Sequence, residues 1–375
     1  MKKLKTAIIG CGSVSDMYMQ SIQSNFSVID LYACSDLLTD RMNETATKYG
    51  LKPMTFEEII NDPEIEMVIN LTTPAGHYSL TKQALEKGKH VYSEKMLAIE
   101  FHEAQELCNI AKAHNVRLGC APDTFLGGGL QTARYAIDKG LVGKILSGVV
   151  SLSKNDRVYV DNLTHLYSHG GSVLFDMGSY YLTALCSLLG PVKEIVSFGT
   201  KSEEIHKVKR VGSVHYGKEI TLEDCNVIAA VLHFECGTQV TLHLNSSCIL
   251  NQTFHLELFG EDGVLSMGDP NTFNGEVLLQ KAQNEPMKLP YTHGFQKQSR
   301  GLGAAEMAWS IIADRPHRAS MELACHVLEI VHGIFTSIDN KSIYSMTSSF
   351  SLPNALPEGY IGKGFWAPSE ESALI

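Results

Sequence analysis

The chain has 375 residues, 44% of them hydrophobic, which accommodates two domains and excludes a chain disordered throughout. A net charge of −10 with no basic run excludes a nucleic-acid phosphate partner. Nine cysteines, scattered singly with no CxxC pair, read as thiols of a reducing compartment and not as a disulfide or zinc framework, so no metal is expected.

Lys2 and Lys3 precede an apolar run too short for a signal segment, and Ile8-Ile9-Gly10-Cys11 is read as strand and turn, not as a lipoprotein cleavage box. No uninterrupted apolar stretch approaches the ~18 residues of a membrane span, and a cytoplasmic location with no membrane contact is expected. Leu4 to Ile9 is short and apolar, as a buried strand requires. Gly10 and Gly12 follow at the spacing of a dinucleotide fingerprint, with Ser15 where a third small residue belongs. Gly10 serves the tight turn, and Gly12 lets backbone approach a pyrophosphate. Ser13 and Val14 open a helix whose positive end faces the phosphates. Asp36 closes the second strand pattern, where a carboxylate can bond ribose hydroxyls. A glycine turn in any parallel α/β protein gives similar spacing, but here strand, glycines, helix and acid occur together.

Helices are predicted over 39–49 and 55–61, a strand over Met67 to Leu71, a helix over 79–88 and a strand over His90 to Tyr92. Leu97, Phe101, Ala104, Cys108 and Ala111 recur at helical spacing, and Val116, Leu118 and Cys120 alternate as a strand. Repeated β-α units require a parallel sheet covered on both faces. Ligands of such a sheet bind at the carboxyl ends of its strands. Thr72-Thr73-Pro74, Ser93-Glu94-Lys95 and Ala121-Pro122-Asp123 all lie at such ends, which makes Asp123 a candidate substrate contact.

Past residue 125 the pattern changes to a helix over 130–139, a strand over 145–152, a polar loop over 155–169 and a helix over 173–189. After Pro191 strands dominate, at 226–234, 239–245, 253–259 and 263–267, with turns at Cys236-Gly237 and Glu261-Asp262-Gly263. Helices over 302–313 and 320–337 close the domain. On the 173–189 helix, Asp176, Tyr180, Thr183 and Ser187 form one polar stripe, so Asp176 and Tyr180 point the same way. A solvated face is the ordinary explanation of such a stripe. The stripe lacks Lys and Glu and is interrupted by Gly178, which costs about 1 kcal/mol in a helix, and both features point to a site.

Gly12 with Asp36, Thr72 to His77, Glu94-Lys95 and Gly170-Gly-Ser-Val-Leu-Phe-Asp176-Met-Gly178-Ser-Tyr180 resemble the glucose–fructose oxidoreductase, inositol dehydrogenase and rhizopine-catabolism (Gfo/Idh/MocA) family. The resemblance extends over the whole chain through Gly119-Cys-Ala-Pro-Asp-Thr-Phe125 and Arg318-Ala-Ser320. It implies an α/β Rossmann dinucleotide-binding domain, residues 1–124, followed by an α+β domain, residues 125–375, with an open, mainly antiparallel sheet. It also implies a nicotinamide cofactor touched by Thr72, Thr73, His77, Glu94 and Lys95, and a sugar or polyol substrate. The family's Glu-Lys-Pro matches Glu94-Lys95, and its Asp-x-Gly-x-His/Tyr matches Asp176 to Tyr180. Met96 replaces the proline, Ser172 replaces a glycine before the helix, and Tyr180 replaces the commoner histidine.

The reaction expected is reversible oxidation of a secondary alcohol on a sugar, polyol or glycoside, with NAD preferred over NADP because Asp36 opposes a 2′-phosphate. Tyr180 is the expected acid/base, helped by a Lys95 ammonium that favours the phenolate, with Asp176 orienting. Lys95 is itself the alternative base if desolvation lowers its own pKa. His165, Tyr167 and His169, just before the helix, are candidate substrate contacts. An NAD-dependent glycosidase working by transient oxidation would use the same residues, and a non-catalytic dinucleotide sensor is the reading from another class. Apolar residues on both faces of 226–234, with the resemblance, imply a homodimer or homotetramer through the second domain's sheet.

Overall fold

The computed structural model describes residues 2–358, so 359–375 at the end of the expected second domain lie outside the described residues. Strands β1 (Leu4–Ile9), β2 (Ile29–Ser35), β3 (Lys52–Pro53), β4 (Met67–Asn70), β5 (His90–Ser93) and β6 (Leu118–Cys120) form a parallel sheet in the order β3-β2-β1-β4-β5-β6. All four residues of β4 are buried, as a strand covered by helices on both faces must be. The order reverses between β1 and β4, the position at whose carboxyl ends sheets of this kind bind ligands.

The helices of this half are α1 (Ser13–Asn25), α2 (Thr39–Tyr49), α3 (Phe56–Asn61), α4 (Pro74–Glu86) and α5 (Phe101–Ala113). Helix α4 begins five residues before the predicted start because Pro74, with φ preset for a first turn, follows an extended Thr73. Helix α5 begins later than Leu97, where a capping box between Glu100 and Glu103 satisfies its first N–H groups. Leu97 stays fully buried in the loop before it.

The second half opens with α6 (Gly128–Asp138) and β7 (Ile145–Asn155). The predicted polar loop over 155–169 contains a one-turn helix, α7 (Arg157–Val160), and a 3-10 turn, Thr164–Tyr167. The predicted 173–189 helix is two pieces, a π-helical turn over Leu174–Gly178 that runs into α8 (Ser179–Leu189). Then come β8 (Val192–Thr200), a small ribbon of β9 (Ile205–Lys207) and β10 (Glu219–Thr221), β11 (Val227–Phe234), β12 (Gln239–Asn245), β13 (Ser247–Gly260), β14 (Val264–Met267), β15 (Val277–Gln280) and β16 (Met287–Lys288). Helices α9 (Leu302–Ala313) and α10 (Met321–Asn340) and the short β17 (Tyr344–Ser345) follow. The large sheet runs β16-β15-β14-β13-β7-β12-β11-β8-β17 and is antiparallel except where β12 pairs β7.

Strand β11 alternates instead of burying both faces: Ile228, Ala230, Leu232 and Phe234 are buried, while Ala229 and Val231 are exposed. The buried row belongs to the same core as the buried residues of α8 and α10. Helix α10 is apolar along most of its length because it is core to both halves, touching β8, α8, α5 and β6.

One buried acid ties this closure together. Glu306 on α9, fully buried, accepts from Arg315 Nη1 and Arg318 Nη1, both at 2.6 Å, and from the Arg318 amide at 2.8 Å. Arg318 in turn donates to the carbonyls of Asn354 and Ala355. Removing one member of a buried ion cluster strands the others' charge. Glu306→Ala is therefore expected to lower the unfolding free energy by roughly 3 kcal/mol or more in denaturant titrations; a loss under about 1 kcal/mol would contradict the assignment.

Candidate active site

The cofactor edge is built at the turn after β1. Gly10 has φ +92°, and a Cβ there would sit 2.7 Å from the carbonyl carbon and oxygen of Leu71, so glycine is required twice over. A Cβ at Gly12 would meet nothing within 4 Å. Gly12 caps α1 with no side-chain hydrogen bond to its amides, and Gly12 and Ser13 are exposed, with Val14 partly so. Open space above uncapped N–H groups at a helix N-terminus fits a pyrophosphate. Ser15 is buried, and its Oγ donates back to the Gly12 carbonyl at 2.6 Å, so it packs where the third glycine would.

Asp36 lies at the end of β2. Its carboxylate accepts from the amides of Cys11 and Leu38, both at 2.8 Å, and from Arg41 Nε and Nη2 at 3.0 and 2.7 Å. Burial works against the charge, but Arg41 and the two amides outweigh it and hold the carboxyl below its ordinary range.

At the end of β4, Thr72 donates through Oγ1 to Asn70 Oδ1 at 2.7 Å, and Thr73 precedes α4. His77 is buried, with Nδ1 2.7 Å from the Met96 carbonyl and Nε2 2.9 Å from the Thr72 carbonyl. It thereby ties the Thr72 loop to the loop that carries Lys95. The Lys95–Met96 peptide is cis, Met96 is buried, and His77 holds its carbonyl. Glu94 accepts from Tyr18 Oη of α1 at 2.7 Å and from the Lys95 amide at 3.0 Å.

Lys95 reaches across to the second half. Its Nζ donates to the carbonyl of Asp176 at 2.6 Å and to Oδ1 at 2.7 Å, and lies 5.1 Å from the centroid of the Tyr180 ring. Burial disfavours the ammonium, but Asp176, Tyr180 and Glu94 together hold its pKa above the usual lysine value. Burial likewise disfavours the Asp176 carboxylate, and Lys95 and Lys154 overcome it, keeping the acid ionised. For Tyr180 the balance goes the other way. Burial pushes the phenol up, and the pull of Lys95 and Arg300 towards phenolate does not fully cancel it.

The predicted polar stripe is not a solvated face: Tyr180, Thr183 and Ser187 are all buried. At Gly178 the neighbours are Leu174 Cδ1 at 3.0 Å and Leu244 Cδ1 at 3.4 Å from an ideal Cβ, so the π turn packs directly on β12.

Four further predicted contacts fall elsewhere or at the margin. Asp123 is buried at the end of β6 and accepts from the amides of Gly301 and Gly303 at 2.8 and 3.0 Å, which fixes the start of α9. Burial pushes its pKa to about 6. Tyr167 is buried in a small separate core with Val160, Leu166 and Leu222, its hydroxyl on Glu203 at 2.9 Å. His165 is exposed on the 3-10 turn and contributes to the field at Asp176, whereas His169 is bound to Asp224 at 2.8 Å and lies 3.3 Å from Glu100.

The structure adds three residues to the site. Lys154 Nζ lies 2.8 Å from Asp156 and 3.9 Å from Asp176 Oδ2. Its signal was present in the alternation of β7, where Val150, Leu152 and Lys154 share the buried face. Arg300, just before α9, places Nη2 3.5 Å from Tyr180 Oη and 2.7 Å from Asn271 Oδ1. No periodicity marks Arg300 or Asn271.

Residues 4–121 match the family described as "Oxidoreductase family, NAD-binding Rossmann fold", and residues 130–266 match "GFO/IDH/MocA C-terminal domain". An oxidoreductase of Schizosaccharomyces pombe is 25% identical over 194 residues, and the match spans 51% of this chain and 53% of that relative. Myo-inositol 2-dehydrogenase of Thermotoga maritima is 23% identical over 269 residues, 69% of this chain and 74% of the relative. A levoglucosan dehydrogenase solved with NADH and L-sorbose superposes with a TM-score of 0.81 at 17% identity, covering 92% of this chain and 99% of that one. With both halves of the family pattern matched in order over most of the chain, the chain belongs to the GFO/IDH/MocA family of NAD(P)-dependent oxidoreductases.

Proposed function

We propose that the protein oxidises a secondary alcohol of a sugar or polyol, reversibly, with NAD as hydride acceptor and Tyr180 as proton acceptor. The observation that carries this reading is the convergence of Lys95, Asp176 and Tyr180, from two halves of the chain, at the cofactor edge of the parallel sheet. The inositol and levoglucosan dehydrogenases among its relatives support the substrate class. When bound, the nicotinamide supplies the carbon that accepts hydride. Tyr180 takes the hydroxyl proton, and Lys95, held cationic by Asp176, bonds the substrate oxygen as its charge develops. A lysine whose pKa is raised is a poor base near neutral pH, which favours Tyr180 for that role. Asp176 fixes Lys95 through two acceptors and sits one turn from Tyr180 on the same side.

Lys95→Ala leaves Gly10, Gly12 and Asp36 untouched, so dinucleotide binding is expected to survive while turnover falls at least ~10²-fold. Tyr180→Phe deletes only the hydroxyl. Because the phenol must lose its proton before it can accept one, the wild-type rate rises with pH, and that limb should vanish in Tyr180→Phe. A limb that persists there and moves in Lys95→Arg would assign the proton to lysine instead.

Asp36 supports NAD over NADP. A 2′-phosphate would meet its carboxylate, Leu37 and Leu38 are exposed and offer no cation, and Arg41 is already paired with Asp36. The family contains both preferences, an NADP-dependent scyllo-inositol 2-dehydrogenase of Bacillus subtilis among them. Binding titrations should show NAD tighter than NADP, with Asp36→Ser plus Leu37→Arg reversing the order; tighter NADP binding by the wild type would refute the preference.

The outer face of the large sheet supports a homo-oligomer. Val196, Val231, Thr241 and Val149 line up in one cross-strand row, flanked by Phe198 beside Ala229. Phe198 is 75% exposed. Such an apolar patch calls for a cover, and a second copy's matching face can supply it. The nine unpaired cysteines support a cytoplasmic location, where thiols stay reduced. Light scattering at micromolar concentration should give at least twice the 41.2 kDa chain mass, and Phe198→Asp should lower it. A single-chain mass for the wild type would refute the assembly.

A further inference from the structure

Arg300 stands out among the charged side chains near the site because its contacts are all neutral. Nη1 donates to Gln298 Oε1 at 3.0 Å, and Nη2 donates to Asn271 Oδ1 at 2.7 Å, to the Asn271 carbonyl at 3.4 Å and to Tyr180 Oη at 3.5 Å. Among the described residues it makes no ion pair with an acid, although it is partly buried. Two further acids of this region are committed elsewhere. Asp123 is spent on the amides of Gly301 and Gly303, and Glu94 on Tyr18 and the Lys95 amide. Burial disfavours the guanidinium, and Tyr180 and Asp123 outweigh it and keep the side chain charged with no carboxylate in contact. Its charge is left unquenched for whatever forms beside it, and Tyr180 Oη is beside it.

We propose that Arg300 is a second cation of the proton-transfer site, acting with Lys95 to stabilise Tyr180 as tyrosinate. The inference rests on Tyr180 being the proton acceptor. In the oxidation direction the substrate O–H bond breaks and the Tyr180 O–H bond forms, so the reactive form of the tyrosine is the anion. The charged groups that face Tyr180 are Lys95 and Glu94 from the loop after β5, Arg300 from the segment before α9, and Asp176 from the π turn. Glu94 opposes the anion, Asp176 is bound to Lys95, and burial opposes any charge, so Lys95 alone works against two unfavourable influences. Arg300 supplies the second favourable one.

The fold explains how the guanidinium is kept in place. Asp123, at the end of β6, grips the amides on either side of Leu302 and so sets where Arg300 leaves the backbone. Asn271 and Gln298 then fix the planar fork from two directions. Arg300 touches the reacting oxygen, whereas Asp123 and Asn271 act through it and are positioning residues.

Titration of carbon-13-labelled tyrosine tests this without knowledge of the substrate, with the Tyr180 resonance assigned by its loss in Tyr180→Phe. Arg300→Gln should raise the Tyr180 midpoint by about one pH unit or more, Arg300→Lys should raise it less, and Asn271→Ala, which loosens the fork but keeps the charge, should give a smaller rise. On a substrate the enzyme turns over, the rising limb of the pH–rate profile should move by the same amounts, a tenfold loss of rate per unit on that limb. An unmoved midpoint in Arg300→Gln overturns the proposal even if its turnover falls, because the arginine is then only structural. Equal effects of Arg300→Lys and Arg300→Gln overturn it too, since charge would not be what matters. Should Tyr180→Phe itself keep full turnover and its pH limb, the Tyr180 reading fails, independently of whether Arg300 shifts the tyrosine.

Discussion

The ion pair of Lys95 with Asp176 is the constraint on which the site depends. It joins a loop at the end of a parallel strand to the π turn that carries Tyr180, and it does so through two acceptors of one residue, side chain and carbonyl. The more deeply placed Lys95 ammonium depends on this acid for its charge. The same lysine is fixed from behind, since its amide bonds Glu94, Glu94 bonds Tyr18, and Tyr18 lies on the helix that follows the glycine turn. A second chain of contacts runs from Asp123 through the start of α9 to Arg300 and again to Tyr180. Both chains start at strand ends of the parallel sheet and converge on one phenol, which joins the two halves of the protein at the candidate site.

Electrostatically the site separates its two candidate proton carriers. Burial acts on both Lys95 and Tyr180 in favour of the neutral form. For Lys95 the contact with an ionised acid wins and the ammonium persists. For Tyr180 burial wins over the pull of Lys95 and Arg300, so the phenol persists until substrate and pH favour its ionisation. That asymmetry supports the proposed division of roles, an electrostatic one for the lysine and the proton for the tyrosine, and it follows from which residue Asp176 touches.

Much of this was legible in the sequence because it depends on local rules. The strand, Gly10, Gly12 and the helix after them are a contiguous pattern, and Asp176 and Tyr180 are one turn apart. Lys95 was legible as a polar residue at a strand end. What escaped was non-local or masked. Arg300 sits in an aperiodic segment and meets Tyr180 only because α9 packs back on the first sheet. Asp123 was placed at the right strand end but turns inward, since two backbone amides compete successfully for its carboxylate. Tyr167 was placed near the site by proximity in sequence, whereas its ring is drawn into the small core around Val160 and Leu222. The π turn is invisible to a helical period because it differs by one residue per turn.

The proposed function requires that the site perform net oxidation of a carbohydrate alcohol. Purified protein incubated with NAD across a panel of sugars, polyols and glycosides, with NADH measured and products identified, tests this directly. The expected result is NADH formed in equal amount to a carbonyl product for at least one sugar or polyol. No reduction across the panel, or release of an aglycone without net NADH, would contradict it.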